Sequence, residues 1–79
     1  MTVDVGRRVI EIAADVLGES PGSIGNDTTP ADIEAWDSLA QLNLVVALED
    51  EFAIQLAPED MDLMVSVGAI AALVSSRLG

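Results

Sequence analysis

SLAQLNLVVALEDEFA, residues 38–53, is the stretch whose periodicity decides the fold. Placed at 100° per residue, it gives two apolar stripes rather than one. Leu44, Val45, Leu48 and Phe52 fall on one side of the helix. Leu39, Leu42, Val46 and Ala53 fall on another, flanked by Asn43, Glu49 and Asp50. One stripe is enough to seat a helix on a small bundle. The second must therefore meet another helix or face a partner.

Working outward, VDVGRRVIEIAADVL (residues 3–17) carries Val5, Val9, Ile12 and Val16 at helical spacing, an amphipathic helix with one apolar stripe. Gly18 and Pro21 are stop signals, and Gly6 weakens the first turns by roughly 1 kcal/mol relative to alanine. Residues 18–37, GESPGSIGNDTTPADIEAWD, are rich in turn formers and read as a loop. A connection this long in a small domain is usually functional or disordered. Ile24, Ile33 and Trp36 argue that it is pinned to the core, with Trp36 as the anchor, and Thr29-Pro30 can start one helical turn.

Downstream, EDMDLM (residues 59–64) follows Pro58 and opens on two acids, the start of a short helix in which Met61 and Met64 pack into the bundle. Ser66 can cap a last helix with Val67, Ile70, Ala71, Val74 and Leu78 on one face. The expected fold is all-α: a small four-helix bundle with a long loop between helices 1 and 2 and a short third helix, one domain over residues 1–79.

Composition narrows the chemistry. Without cysteine there is no disulfide, thiolate metal site or thiol nucleophile. Without histidine, the usual general base, the usual partner of a nucleophilic serine and the commonest metal ligand are all missing. Fourteen acids against three arginines give a net charge of −11. Such a chain repels nucleic acid and anionic lipid and is steered toward basic protein surfaces. No stretch has the length of a membrane span, so a soluble cytoplasmic protein is expected, with no metal site of its own. An EF-hand reading of the acids fails, because no D-x-[DN]-x-[DN]-G loop is present.

Ser38 carries two readings. Locally it is a favoured N-cap, with Gln41 completing an S-x-x-Q capping box, although Asp37 suits the cap equally well. A serine at the start of a helix also exposes its hydroxyl beside unpaired backbone N–H groups and the positive end of the helix dipole, a natural seat for a phosphate ester. Ser38 has no neighbouring base and is no catalyst, but it can be the substrate of an enzyme that brings its own base and metal.

WDSLAQLNLVVALEDEF followed by SVGAIAALV resembles the acyl carrier protein family. The shared features are D-S-L opening the second helix, an acidic E-x-E-F-like end to that helix, a short third helix, and an [ST]-V-x-x-[IL]-type start to the fourth. The resemblance is strong over residues 35–79 and rests on helix and loop lengths over 1–34. It implies that Ser38 receives 4'-phosphopantetheine from coenzyme A through a Mg2+-dependent phosphopantetheinyl transferase, and that acyl or aminoacyl cargo then rides on the arm as a thioester. Asp37 matches the acid that contributes to transferase and Mg2+ recognition.

Leu39 and Val46 match positions that stay exposed on the recognition helix. Glu49, Asp50 and Glu51 match its acidic end, which meets basic docking surfaces on acyl- or aminoacyl-transferring and condensing enzymes. Reversing the charge of Glu49 and Asp50 is accordingly expected to weaken docking and spare the helix. The resemblance implies a monomer that is not itself an enzyme. Ala40 and Asn43 stand where many fatty-acid carriers have acids, which favours polyketide or other specialised biosynthesis over a housekeeping fatty-acid role. An unmodified acidic helical adaptor is the alternative from another class.

Overall fold

The computed structural model describes residues 4–78, and within them all regular structure is helical. Helix α1 spans Val5–Leu17, α2 spans Ser38–Phe52 and α3 spans Val67–Leu78, with a single 3-10 turn at Pro21–Ser23 and a 3-10 helix at Pro58–Leu63. The expected short third helix is thus present, wound as 3-10 rather than α. Pro58 lies inside it at the first position, where its missing N–H costs nothing. Pro30 opens only a turn, not a helix.

Each α-helix begins where a side chain supplies an acceptor. Asp4 caps α1 by accepting the Arg7 N–H at 3.1 Å, and Ser66 caps α3 by accepting the Ala69 N–H at 3.1 Å, as its sequence position suggests. At their C-termini, α1 and α2 both close on a left-handed residue. Gly18 does so for α1 at φ 70° and Ala53 for α2 at φ 53°. Glycine adopts this conformation freely, whereas alanine is strained there. The Ala53 and Ile54 N–H groups both return to the Glu49 carbonyl, and the Glu49 carboxylate accepts the Leu56 N–H at 2.8 Å.

Leu44 and Leu48 of α2, Val9 of α1, and Val67, Ile70 and Val74 of α3 form the most deeply buried part of the core. Helix α1 packs on both α2 and α3, so its one apolar stripe fills the middle of the bundle. The buried face of α3 differs from the expected one. Leu73 is buried whereas Leu78, in the last turn, is 46% exposed, because the helix end runs past the bundle. Ala40, facing inward from α2, also belongs to the core.

The long loop is fastened rather than loose. Ile24 and Trp36 are buried and Ile33 is half-buried. The carbonyls of Thr28 and Asn26 accept the Val67 and Gly68 N–H groups, each at 2.9 Å, so the loop satisfies two first-turn donors of α3 that the helix cannot. The approach is close enough that a Cβ on residue 68 would lie 3.0 Å from the Asn26 oxygen, which is why glycine stands there.

The second fastening joins the 3-10 helix to α3. The Asp60 carboxylate, 5% exposed, accepts the Arg77 guanidinium at 2.6 Å with one oxygen and the Ala57 N–H at 2.8 Å with the other. The Arg77 hydrogen bond, then that from Ala57, holds the Asp60 carboxyl below its ordinary value against the opposing effect of burial. Periodicity gave no sign of this pair, because the partners lie on different elements.

Candidate functional site

Trp36 ends the loop with its side chain only 4% exposed, and this fixes the point at which α2 begins. Asp37, immediately after it, is the N-cap: its backbone is extended and its Oδ1 accepts the Ala40 N–H at 2.9 Å. Ser38 is therefore the first residue of the helix and not its cap, and the S-x-x-Q capping box does not form. The acid one residue earlier already occupies the capping position. Gln41 turns away instead, accepting the Trp36 indole N–H at 2.7 Å and donating to the Met61 carbonyl at 3.4 Å.

Freed from capping, Ser38 is exposed. The backbone N–H groups of Ser38 and Leu39 lie in the first turn, where a helix offers no internal acceptor, and the helix dipole adds partial positive charge. Ser38 also stands at the rim of an open cleft of about 500 Å³ between the start of α2 and the 3-10 helix. Pro30, Trp36, Leu42, Met61 and Met64 give the cleft an apolar lining. Met64 is buried and Met61 half-buried, so both methionines do pack, while one side of each faces the cleft.

The second stripe of α2 stays uncovered. Leu39 is 66% and Val46 64% exposed, and Leu42 lies between them, so packing against the last helix does not account for these residues. The acidic end of the helix is less uniform than its sequence implies. Asp50 is exposed. Glu51 is paired with Arg8 of α1 at 2.8 Å, and that hydrogen bond holds its carboxyl below the ordinary value; Arg8 also reaches Glu11 at 3.2 Å. Glu49 is half-buried and caps the turn after the helix. Of the three acids, Asp50 alone has no internal bond among the described residues. The Glu49 carboxylate, by accepting the Leu56 N–H beyond the end of the helix, also has a structural task that the sequence did not reveal. Ala40 likewise lacks an acid for a packing reason, since its position is buried.

Fold and site together give a small helical domain with an exposed serine beside a cleft. Residues 7–74 match the family described as the phosphopantetheine attachment site, and the chain belongs to that family, in its acyl carrier protein form. It is similar to the holo acyl carrier protein of Geobacter metallireducens, whose solution NMR structure matches with a TM-score of 0.84 at 30% identity, over 96% of this chain and 87% of that one. The cofactor is covalently attached 4'-phosphopantetheine.

The residues present suit such a group. A phosphodiester on an exposed first-turn serine meets unpaired N–H donors, and the adjoining cleft is apolar where the arm is apolar. Sequence reasoning missed Gln41 as a wall of this cleft. Its position three residues after Ser38 was the available signal, since residues so spaced share a helix face. No helix among the described residues is long and apolar enough to cross a membrane.

Proposed function

We propose that Ser38 bears the phosphopantetheine arm and that the chain shuttles acyl intermediates, held as thioesters, between enzymes of polyketide or related specialised biosynthesis. The observation that carries the assignment is the placement of Ser38: exposed, first in α2, and released from capping by Asp37. The arm supplies the thiol that a cysteine-free chain lacks, and the protein contributes address and orientation. The chain acts in the cytoplasm as a monomeric, non-catalytic domain spanning its full length.

Partners meet the uncovered stripe of Leu39, Leu42 and Val46, with Asp50 and the neighbouring acids steering basic surfaces toward it. A phosphopantetheinyl transferase reads the same face and Asp37. Contacts of this kind are weak and salt-sensitive, as a shuttle that must release its partners requires. Asn43, exposed on α2, carries the argument against a housekeeping fatty-acid role, because the buried Ala40 reports packing.

The test is to incubate the protein with coenzyme A, Mg2+ and a broad-specificity transferase and to weigh it intact. A mass gain of one phosphopantetheine, abolished in Ser38→Ala, is expected. No gain would leave an unmodified acidic adaptor as the better reading, and a gain that survives the substitution would refute Ser38 as the attachment site.

A further inference from the structure

Glu51 belongs to the acidic end of α2, yet its carboxylate is already engaged. Arg8 of α1 reaches it with Nη2 at 2.8 Å, and with Nη1 reaches Glu11, one turn along its own helix, at 3.2 Å. One guanidinium thus joins the two helices beside an open groove floored by Ile12, Val16 and Ala47. Asp50 borders the same groove and has no such partner among the described residues. The bundle does not depend on this bridge. Helices α1 and α2 already meet through the core that holds Ile12, Leu44 and Leu48. With side chains 41% and 39% exposed, an ion pair adds little to stability. What the bridge changes is the face on offer. A carboxylate bonded to an internal guanidinium is neutralised, so an incoming cation must displace Arg8 to gain full contact. Displacement costs little, because Arg8 keeps Glu11 as it leaves Glu51.

Resting on the reading that partners bring basic surfaces to α2, we propose that Arg8 is a built-in competitor for that helix's acidic end and selects which partners dock there. A partner arginine can replace Arg8 on Glu51 with the same forked geometry, whereas a lysine offers only a point charge in exchange for a fork. A surface without the arginine finds Asp50 as the acid without an internal bond. Weakly basic surfaces therefore meet one open carboxylate, and strongly basic ones recruit a second. Arg8 acts on specificity through Glu51 and stays clear of the chemistry. Glu51 lies near the far end of α2 from Ser38, roughly 20 Å along the helix.

The experiment measures KM and kcat of a broad-specificity phosphopantetheinyl transferase acting on the full chain. It is run at about 0.15 M salt, where charges more than about 8 Å apart are largely screened. Arg8→Met removes the competitor and keeps a good helix former. Arg7→Met makes the same change of net charge one residue earlier, at an exposed arginine with no ion pair among the described residues. Arg8→Met should lower KM about threefold, the scale of one exposed ion pair, with the change confined to KM; Arg7→Met should leave KM as it is. Glu51→Gln should raise KM about threefold more in the Arg8→Met background than in the wild type, a coupling that the double-mutant cycle isolates. Equal KM in the two arginine variants, or the same Glu51→Gln effect in both backgrounds, overturns the competitor. Should Arg8→Met fail to fold, Glu51→Gln is set against Asp50→Asn in otherwise wild-type protein. A smaller rise in KM for Glu51→Gln supports the competitor, and a rise as large as that of Asp50→Asn overturns it. If Asp50→Asn itself leaves KM unchanged, the docking reading fails, and the role of Arg8 with it.

Discussion

Asp37 is asked to do two things, and two substitutions separate them. As N-cap it accepts the Ala40 N–H at 2.9 Å; as an exposed anion beside Ser38 it is the proposed recognition point for the transferase. Asp37→Ala removes both. Loss of a capping acceptor costs about 1 kcal/mol, and loss of the charge at the helix N-terminus adds roughly 0.3–1 kcal/mol. Asparagine caps about as well as aspartate, so Asp37→Asn forfeits only the second contribution. In a domain of this size 1 kcal/mol moves the midpoint by roughly 4–8 °C. The alanine variant should therefore melt roughly 5–16 °C below wild type and the asparagine variant roughly 1–8 °C below, the alanine loss being the larger by the capping contribution. Thermal unfolding followed by far-ultraviolet circular dichroism reads this difference. The rate of mass gain with coenzyme A and transferase should instead fall in both variants alike. Equal melting losses would refute the capping role, and modification of Asp37→Asn at the wild-type rate would refute recognition through charge.

Other outcomes follow from the same structure. Gly18→Ala should destabilise and Ala53→Gly should stabilise, each by about 0.5–1 kcal/mol, because both positions close a helix in the left-handed conformation but only one has glycine; matching signs in urea titrations would contradict this. Asp60→Asn should lower the melting temperature at neutral pH. The Asp60 carboxyl is held below its ordinary 3.8 in the folded chain, so its contribution is fully present above that value and is lost as pH falls through the lower folded one. The gap between variant and wild type should close in that acid window, and a pH-independent gap would speak against the Arg77 pairing. Asp50→Lys should weaken docking at low salt with unchanged melting, whereas Glu49→Lys should also destabilise by releasing the Leu56 N–H; identical melting of the two variants would count against the cap.

The double stripe of α2 was legible in the sequence because helical periodicity is a local property, and the exposure of Leu39 and Val46 is its direct consequence. The exposed place of Ser38 at the start of α2 was legible for the same reason: D-S-L is contiguous. What escaped was whatever depends on contacts between elements. The Asp60–Arg77 bond spans seventeen positions, and Gln41 joins a tryptophan on one side to a carbonyl twenty positions away on the other. The capping box failed for a different reason. Two adjacent residues both suited the cap, and the extended backbone at Asp37 decides between them only once Trp36 is buried.

The fastening of the loop to Val67 and Gly68 has a practical consequence for following the protein at work. With Ile24 buried and Asn26 and Thr28 bonded to the start of α3, that anchor stands between the chain ahead of it and the Trp36–Ser38 corner. Gly22 lies in that stretch, exposed and with open space around it. Extra length in such a surface segment costs little. A fluorescent label grafted at Gly22 should therefore travel with the carrier while leaving the serine corner and the uncovered stripe of α2 as they are, whereas an insertion between Thr28 and Trp36 would act on the corner directly.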